Sequence, residues 1–218
     1  MQYVPTTLHD SPEFVQSEIA KFASFQPKPQ RFQLDIIDGL FVDNLTVEPG
    51  IVHSLDMHGL SLDLHFMVVE PLEWLREIQD CPAIDMVIAQ VERMTSLEAY
   101  VDEVKNELGY RPGLALDLYT PFTAIPKKLL PELAVVQIMG NQAGFQGQSL
   151  HPTAVLAVRE AAHVKMMNGY DYEISVDINM NHETIPRVAD AGATMVAIGS
   201  YLTGEQATEN WKNLQSLV

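Results

Sequence analysis

The sequence is short of cysteine and of positive charge. Its 218 residues contain one cysteine, Cys81, so no disulfide can form within the chain. Lysine and arginine total 13 against 29 acidic residues, and the formal net charge is −16. A surface of this sign repels nucleic acid and anionic membranes. We therefore expect neither as a partner, and any phosphate site must rely on local hydrogen-bond donors.

Long apolar runs are also missing, since no stretch approaches the ~20 residues that a membrane span needs. The start, Met1–Pro5, lacks the basic region and the apolar core of a secretion signal. Both features predict a cytoplasmic location. Hydrophobic residues make up 47% of the chain, which is enough for a large core. No linker or charge block interrupts residues 1–218, so a single domain is predicted.

Short apolar segments typical of strands alternate with segments of helical or turn character. Strands are predicted near residues 2–6, 31–37, 61–67, 84–90, 112–117, 133–139, 172–177 and 194–198. Helices are predicted to start at Ser11, at Thr95 or Ser96, at His151 and at Asn181, with stops at Gly109, Gly169 and Gly192. Eight such units in one chain of this length predict an α/β fold, the TIM (β/α)8 barrel.

The second predicted strand carries a carboxylate where a barrel interior is normally apolar. If Leu34 and Ile36 face the helices, alternation turns Gln33, Asp35 and Ile37 inward. A buried carboxylate is costly unless it is paired, protonated or bound to a metal. Asp35 is therefore either a functional acid or a structural, hydrogen-bonded one.

The third and seventh strands offer partners for Asp35. His65 matches Asp35 in parity and in its position near the strand end, although a lone histidine is more often a core residue. Asp177 ends the seventh strand and is expected at the barrel mouth. Two carboxylates facing each other across a pocket suit the removal of a proton from one side of a carbon and its return on the other.

Glycine-rich segments follow the sixth and eighth predicted strands. The first spans Met139–Ser149 and includes Gly144 and Gly147, and the second contains Gly199 and Ser200. Glycines permit close backbone approach, and backbone amides can hold phosphate. These strand ends predict a phosphate-binding site at the mouth of the barrel.

The order of these motifs resembles the ribulose-phosphate 3-epimerase family over nearly the whole chain. The matching segments are Leu34–Thr46, Leu64–Pro71, Gly113–Asp117 with Thr120-Pro121, Met139–Ser149, and Gly192-Ala193 with Ile198–Ser200. The resemblance implies a TIM barrel that epimerises ribulose 5-phosphate to xylulose 5-phosphate at C3. It also implies a sugar-phosphate substrate, and the family commonly forms homo-oligomers.

By this resemblance Asp35 and Asp177 match the catalytic aspartates, which also hold one divalent metal ion together with two histidines. His65 matches one histidine, and Gln33 stands at the other. An amide oxygen is a harder and weaker ligand than an imidazole, so the ion could be zinc, iron, manganese or magnesium, or be missing altogether. Met67 and Met139 match methionines of the family's pocket, and Thr6 stands where the family has a serine.

Further departures lie at the same site. Ile178 and Asn179 replace a glycine pair at the phosphate corner, where Asn179 still offers a backbone amide. Ala143 replaces a usual proline and Gln90 a usual histidine. A non-catalytic or altered-specificity relative that binds phosphosugars is therefore an alternative to the epimerase. A relative of orotidine-phosphate decarboxylase is disfavoured because Ile37 occupies the position of that group's lysine.

Overall fold

The computed structural model describes residues 1–217, which form a closed barrel of eight parallel strands. Each strand pairs with its neighbours in chain order, and the first strand closes against the eighth. The predicted TIM barrel is confirmed, and every strand boundary lies within two residues of its prediction. The strands are β1 Gln2–Thr7, β2 Arg31–Ile37, β3 Ser61–Met67, β4 Ile84–Gln90, β5 Arg111–Leu116, β6 Val135–Met139, β7 Glu173–Asp177 and β8 Met195–Ile198.

The helices that surround the barrel are uneven in length. They are α1 Pro12–Ala23, α2 Leu97–Asp102, α3 Pro152–Asn168, α4 Ile185–Ala191 and α5 Ala207–Leu214, joined by several single-turn 3-10 segments. Ser11 and Ser96 cap α1 and α2 through their side chains, as their positions predict. The predicted continuation of α2 to Leu108 is a π-helical turn, Glu103–Glu107. None of the helices within residues 1–217 combines the length and apolar character that a membrane crossing requires.

The predicted start of α4 at Asn181 is wrong. The side-chain oxygen of Asn181 accepts hydrogen bonds from the backbone nitrogens of Glu183 and Thr184. A side chain that binds the backbone this closely stabilises a turn instead of a helix. The helix therefore begins four residues later, at Ile185, and ends at Gly192 as predicted.

Alternation along the strands divides the core into an outer and an inner part. Leu34 and Ile36 belong to the large cluster between the barrel and the helices, as predicted from their parity. The lower part of the barrel interior is filled by an apolar plug of Val4, Met86, Ile88, Ala115, Val135 and Met195. Because this plug closes one end, any site inside the barrel must open at the carboxyl ends of the strands.

An ion-pair cluster lies at the same end of the barrel as the plug, the amino-terminal end. Arg31 at the start of β2 bonds to the carboxylates of Asp63 on β3 and Asp85 on β4. Asp63 is almost fully buried, and burial raises its pKa to about 6 although the Arg31 guanidinium acts to lower it. Asp63 and His65 both point inward from β3, but Asp63 belongs to the ion pairs at the amino-terminal end and His65 lies nearer the carboxyl-terminal end.

Candidate active site

The two predicted acids lie in the upper barrel interior. Asp35 on β2 is paired in register with His65 on β3, and Asp177 is the last residue of β7. The backbone around Asp35 is held by Thr46, whose hydroxyl donates to the Asp35 carbonyl and accepts from the Ile37 backbone nitrogen. Asp35 and Asp177 are both buried, with 4% and 7% of their surface exposed.

The Gln33 side chain joins the two carboxylates. Its amide nitrogen lies 2.8 Å from Asp35 Oδ1 and 2.8 Å from Asp177 Oδ2, so one NH₂ group can donate one hydrogen to each acid. The Thr6 hydroxyl donates to the other Asp35 oxygen, at 3.1 Å. The carboxylates of strands β2 and β7 therefore meet in one hydrogen-bonded group, as the parity of their positions predicts.

His65 lies against both acids. Its Nδ1 is 3.1 Å from Asp35 Oδ1 and 3.7 Å from Asp177 Oδ2, and the ring is fully buried. Two further amides reach the ring, with Gln90 Nε2 3.2 Å from His65 Nε2 and Gln137 Nε2 3.2 Å from His65 Nδ1. The sequence indicated the position of Gln90 but missed Gln137. Gln137 lies two residues before Met139 on β6, so strand alternation turns both side chains inward, and this spacing was the available signal.

The electrostatic environment separates Asp177 from ordinary surface carboxylates. Burial and, second to it, the nearby Asp35 charge together raise the pKa of Asp177 to about 6. His65, the Gln33 amide and the Ile178 backbone nitrogen act in the opposite direction but do not cancel the effect. A carboxyl group with this pKa can take up and release a proton near neutral pH.

A pocket opens above these acids, and all but two of the predicted site residues line it. Among the predicted residues, its wall contains Thr6, Asp35, Met67, Met139, Gly144, Gly147, Asp177, Asn179, Gly199 and Ser200. Leu8, Phe145, Gln146, Ile178 and Met180 complete the wall. Gln33 and His65 lie deeper, where they contact the acids without facing the pocket.

One side of the pocket has unusual backbone geometry. Ile178 and Asn179 adopt φ angles of 81° and 59°, a left-handed region that favours glycine and strains a β-branched residue. Gly144 has a φ of 93°, and a β-carbon there would lie 2.3 Å from a Val42 methyl group. The Met139–Ser149 loop therefore packs tightly onto the loop after β2, which it also contacts through a bond from Asn44 Nδ2 to the Gly144 carbonyl.

Asp38 has a structural position. One of its carboxylate oxygens accepts from the backbone nitrogens of Leu40 and Phe41, and the other accepts from the Val69 backbone nitrogen. These bonds tie the loops after β2 and β3 together. Asp38 is therefore a turn-capping acid outside the group that Asp35 forms.

Comparisons with known proteins agree with this geometry. A profile of the ribulose-phosphate 3-epimerase family matches residues 5–203. The chain belongs to the ribulose-phosphate 3-epimerase family. It is 30% identical to ribulose-phosphate 3-epimerase of Bacillus subtilis over 79% of each chain. It is 31% identical to the enzyme of that name from Synechocystis, over 77% of this chain and 73% of the relative. The predicted assignment to this isomerase family is confirmed.

Solved structures support the barrel fold. 3-Hexulose-6-phosphate synthase aligns over the whole of both chains with a TM-score of 0.65 and 13% identity. 3-Keto-L-gulonate-6-phosphate decarboxylase from Vibrio cholerae aligns over 100% of this chain and 96% of that one, with a TM-score of 0.66 and 9% identity. At such low identity these structures show the shared fold alone.

The donor atoms around the acids can accommodate a metal ion. Asp35, His65 and Asp177 each offer one ligand atom, and these atoms lie within 4.8 Å of one another. The side-chain oxygen of Gln33 is buried and has no hydrogen-bond partner within residues 1–217. Two carboxylates, one imidazole and an available amide oxygen suit a hard or borderline divalent cation. The residues of this family member therefore fit such an ion.

Proposed function

We propose that this chain is a single-domain epimerase that inverts C3 of a ketose phosphate, interconverting D-ribulose 5-phosphate and D-xylulose 5-phosphate. The observation that carries this proposal is the convergence of Asp35 and Asp177 on one pocket. The relatives from Bacillus subtilis and Synechocystis are named for the same reaction.

The reaction needs two proton transfers on opposite sides of C3. Asp35, as carboxylate, takes the C3 proton, and the bonding electrons move into the adjacent carbonyl to form an enediolate. Asp177 then donates its proton to the other side of C3, and the enediolate returns to the ketose. In the reverse direction the two acids exchange roles. The raised pKa of Asp177 favours a protonated acid at this position.

The remaining pocket residues bind and orient the sugar phosphate. Met67 and Met139, with Ile37 and Ala143, form an apolar cluster that keeps water from the reacting carbon. Thr6 bonds to Asp35 and keeps that carboxylate in position. We assign the phosphate to the corner formed by Gly144, Gly147, Asn179, Gly199 and Ser200, where backbone amides can replace a basic side chain.

A divalent cation is the proposed cofactor, held by Asp35, His65 and Asp177 with Gln33 as a fourth ligand. When bound, it would stabilise the negative charge of the enediolate. The oxygen-rich donor set favours manganese or magnesium over zinc or iron. Asp35 and Asp177 would still carry the protons, since each has a second carboxylate oxygen.

A second candidate function is a relative with altered sugar specificity. It is favoured by Ile178, a branched residue with a strained backbone that lines the pocket beside Asn179 and packs against the apolar cluster. A ketose phosphate of different chain length, which places its phosphate differently, would then be the preferred ligand. Comparing pentulose and hexulose phosphates as substrates distinguishes the two candidates.

Exchange of the substrate's C3 proton with solvent deuterium tests the proposal directly. Wild-type protein at saturating ribulose 5-phosphate should incorporate deuterium at C3, as followed by NMR. Asp171→Asn, a neutralisation on the exposed surface before β7, at the amino-terminal end of the barrel, should leave the exchange rate unchanged. If the wild-type protein, with and without added manganese, exchanges no C3 proton, the epimerase proposal is wrong.

A cytoplasmic location, the lack of nucleic-acid partners and a homo-oligomeric state stay predictions. Analytical ultracentrifugation of the purified protein tests the oligomeric state, and a monomer at micromolar concentration would contradict it.

A further inference from the structure

Three glutamines surround the group formed by His65 and the two acids inside the barrel. Gln33, Gln90 and Gln137 come from the alternate strands β2, β4 and β6, and each is at most 1% exposed. The side-chain oxygen of each has no hydrogen-bond partner in the described part of the chain, although all three nitrogens do. A buried polar atom without a partner destabilises the fold, because it has lost its hydrogen bonds to water. Three such atoms in one buried cluster call for a functional explanation.

The contacts of Gln90 determine where the His65 hydrogen is. An amide nitrogen only donates hydrogen bonds, so the Gln90 Nε2 contact of 3.2 Å makes His65 Nε2 the acceptor. The ring hydrogen then lies on Nδ1, which donates it to Asp35 Oδ1 at 3.1 Å, a carboxylate oxygen that accepts. Gln137 Nε2 is also 3.2 Å from Nδ1, but it can donate instead to Asp177 Oδ2, at 3.5 Å. In this arrangement Nδ1, the ring atom that faces both acids, has no lone pair for a cation.

A half-turn of the Gln90 amide reverses this arrangement. The Gln90 oxygen would then accept a hydrogen from His65 Nε2, and the lone pair of Nδ1 would point towards Asp35 and Asp177. Metal-binding histidines almost always donate their other ring hydrogen to such an acceptor. The half-turn also gives a partner to the Gln90 oxygen, which otherwise lacks one.

Gln33 has the same two options. With its nitrogen towards the acids, it donates one hydrogen to each carboxylate and holds them together. With its oxygen towards them, it would repel both carboxylates unless a cation lay between. A cation would thus favour the turned orientation of Gln33 and of Gln90 for independent reasons.

We propose that Gln90 is a positioning residue that decides which nitrogen of His65 carries the hydrogen, and that the Gln33 and Gln90 amides turn together when a divalent cation binds. This inference rests on the cation site of the proposed function. Without a cation, the Gln33 hydrogens link the acids. With a cation bound, the Gln33 oxygen becomes a ligand. Gln90 then holds the His65 hydrogen on Nε2 and leaves the lone pair of Nδ1 free for the cation. The site is thereby hydrogen-bonded in both conditions.

Nitrogen NMR of histidine-labelled protein tests the inference without measuring activity. In chelator-treated wild-type protein, the His65 hydrogen should be on Nδ1. Adding zinc, a diamagnetic probe, should move it to Nε2 and shift the side-chain amide signals of Gln33 and Gln90 together. A His65 hydrogen that stays on Nδ1 with zinc bound, or that is on Nε2 before zinc is added, overturns the proposal.

Two substitutions of Gln90 should act in opposite directions. Gln90→Leu removes the acceptor and should weaken zinc binding 10- to 100-fold, as measured by calorimetry. Gln90→Glu can only accept, so it should hold the hydrogen on Nε2 before zinc is added and tighten binding. Gln137→Leu, a matched loss of an amide that does not contact Nε2, should retain the zinc-dependent move. Equal weakening by both Gln90 variants would indicate a merely structural role and contradict the proposal.

Two outcomes distinguish a failure of this inference from a failure of the epimerase proposal. If zinc, manganese and magnesium all fail to bind wild-type protein, the amide rearrangement is wrong, whereas C3 proton exchange in chelator would leave the epimerase assignment standing. If the hydrogen moves on zinc binding but no C3 exchange occurs, the rearrangement stands and the epimerase assignment falls.

Discussion

Replacing Asp177 with asparagine should stabilise the fold at alkaline pH while it abolishes most activity. The pKa of Asp177 is raised from 3.8 to about 6, chiefly by burial. A shift of about 2 units corresponds to about 3 kcal/mol. Because the folded-state pKa is the higher one, this group favours the native state fully below pH ~4. That contribution is lost as the pH rises through about 6.

Asp177→Asn removes the ionisation but also one acceptor. The carboxylate accepts from Gln33 Nε2 at 2.8 Å and from the Ile178 backbone nitrogen at 2.6 Å, and a side-chain amide oxygen can keep one of them. The lost hydrogen bond costs about 1 kcal/mol. At pH 8 the variant should gain about 2 kcal/mol, or about 4–8 °C in Tm for a chain of this size. At pH 4 it should be the less stable protein.

The assay is thermal unfolding between pH 4 and pH 8 in the presence of a chelator, which removes any bound metal. Asp63→Asn provides a matched control, because Asp63 has a similarly raised pKa but is bonded to Arg31. Its loss leaves a mostly buried guanidinium without one partner and should destabilise the fold at pH 8. A stability difference between wild type and Asp177→Asn that does not change with pH would refute the reasoning.

Three other substitutions probe the same pocket. Asp35→Asn should lower turnover by about 10²-fold or more, and steady-state kinetics near the wild-type values would exclude Asp35 as acid or base. Ile178→Gly should be more stable than Ile178→Ala by about 1 kcal/mol in urea unfolding, because glycine tolerates the φ angle of 81°; equal stabilities would mean that the backbone there is unstrained. Gln33→His should raise the bound zinc or iron measured by elemental analysis of purified protein, and unchanged metal content would count against Gln33 as a ligand position.

Local rules explain why so much of the barrel could be predicted from the sequence. Strand parity placed Gln33 and Asp35 inside and Leu34 and Ile36 outside, because successive side chains on a strand must alternate. The start of α4 was missed because the side chain of Asn181 bonds to the backbone, and this competes with helix formation. A pattern of residue types does not reveal which of two local hydrogen-bonding options is the more stable.

By itself the sequence determined the order of the strands, the inward face of each and the two acids at strand ends. Only the tertiary structure decided that one amide of Gln33 bridges both acids, and that Gln90 and Gln137 contact opposite nitrogens of His65. The physical reason is closure of the barrel. The alternation of side chains along a strand predicts which of them point inward. The tilt and register of all eight strands determine which inward side chains meet.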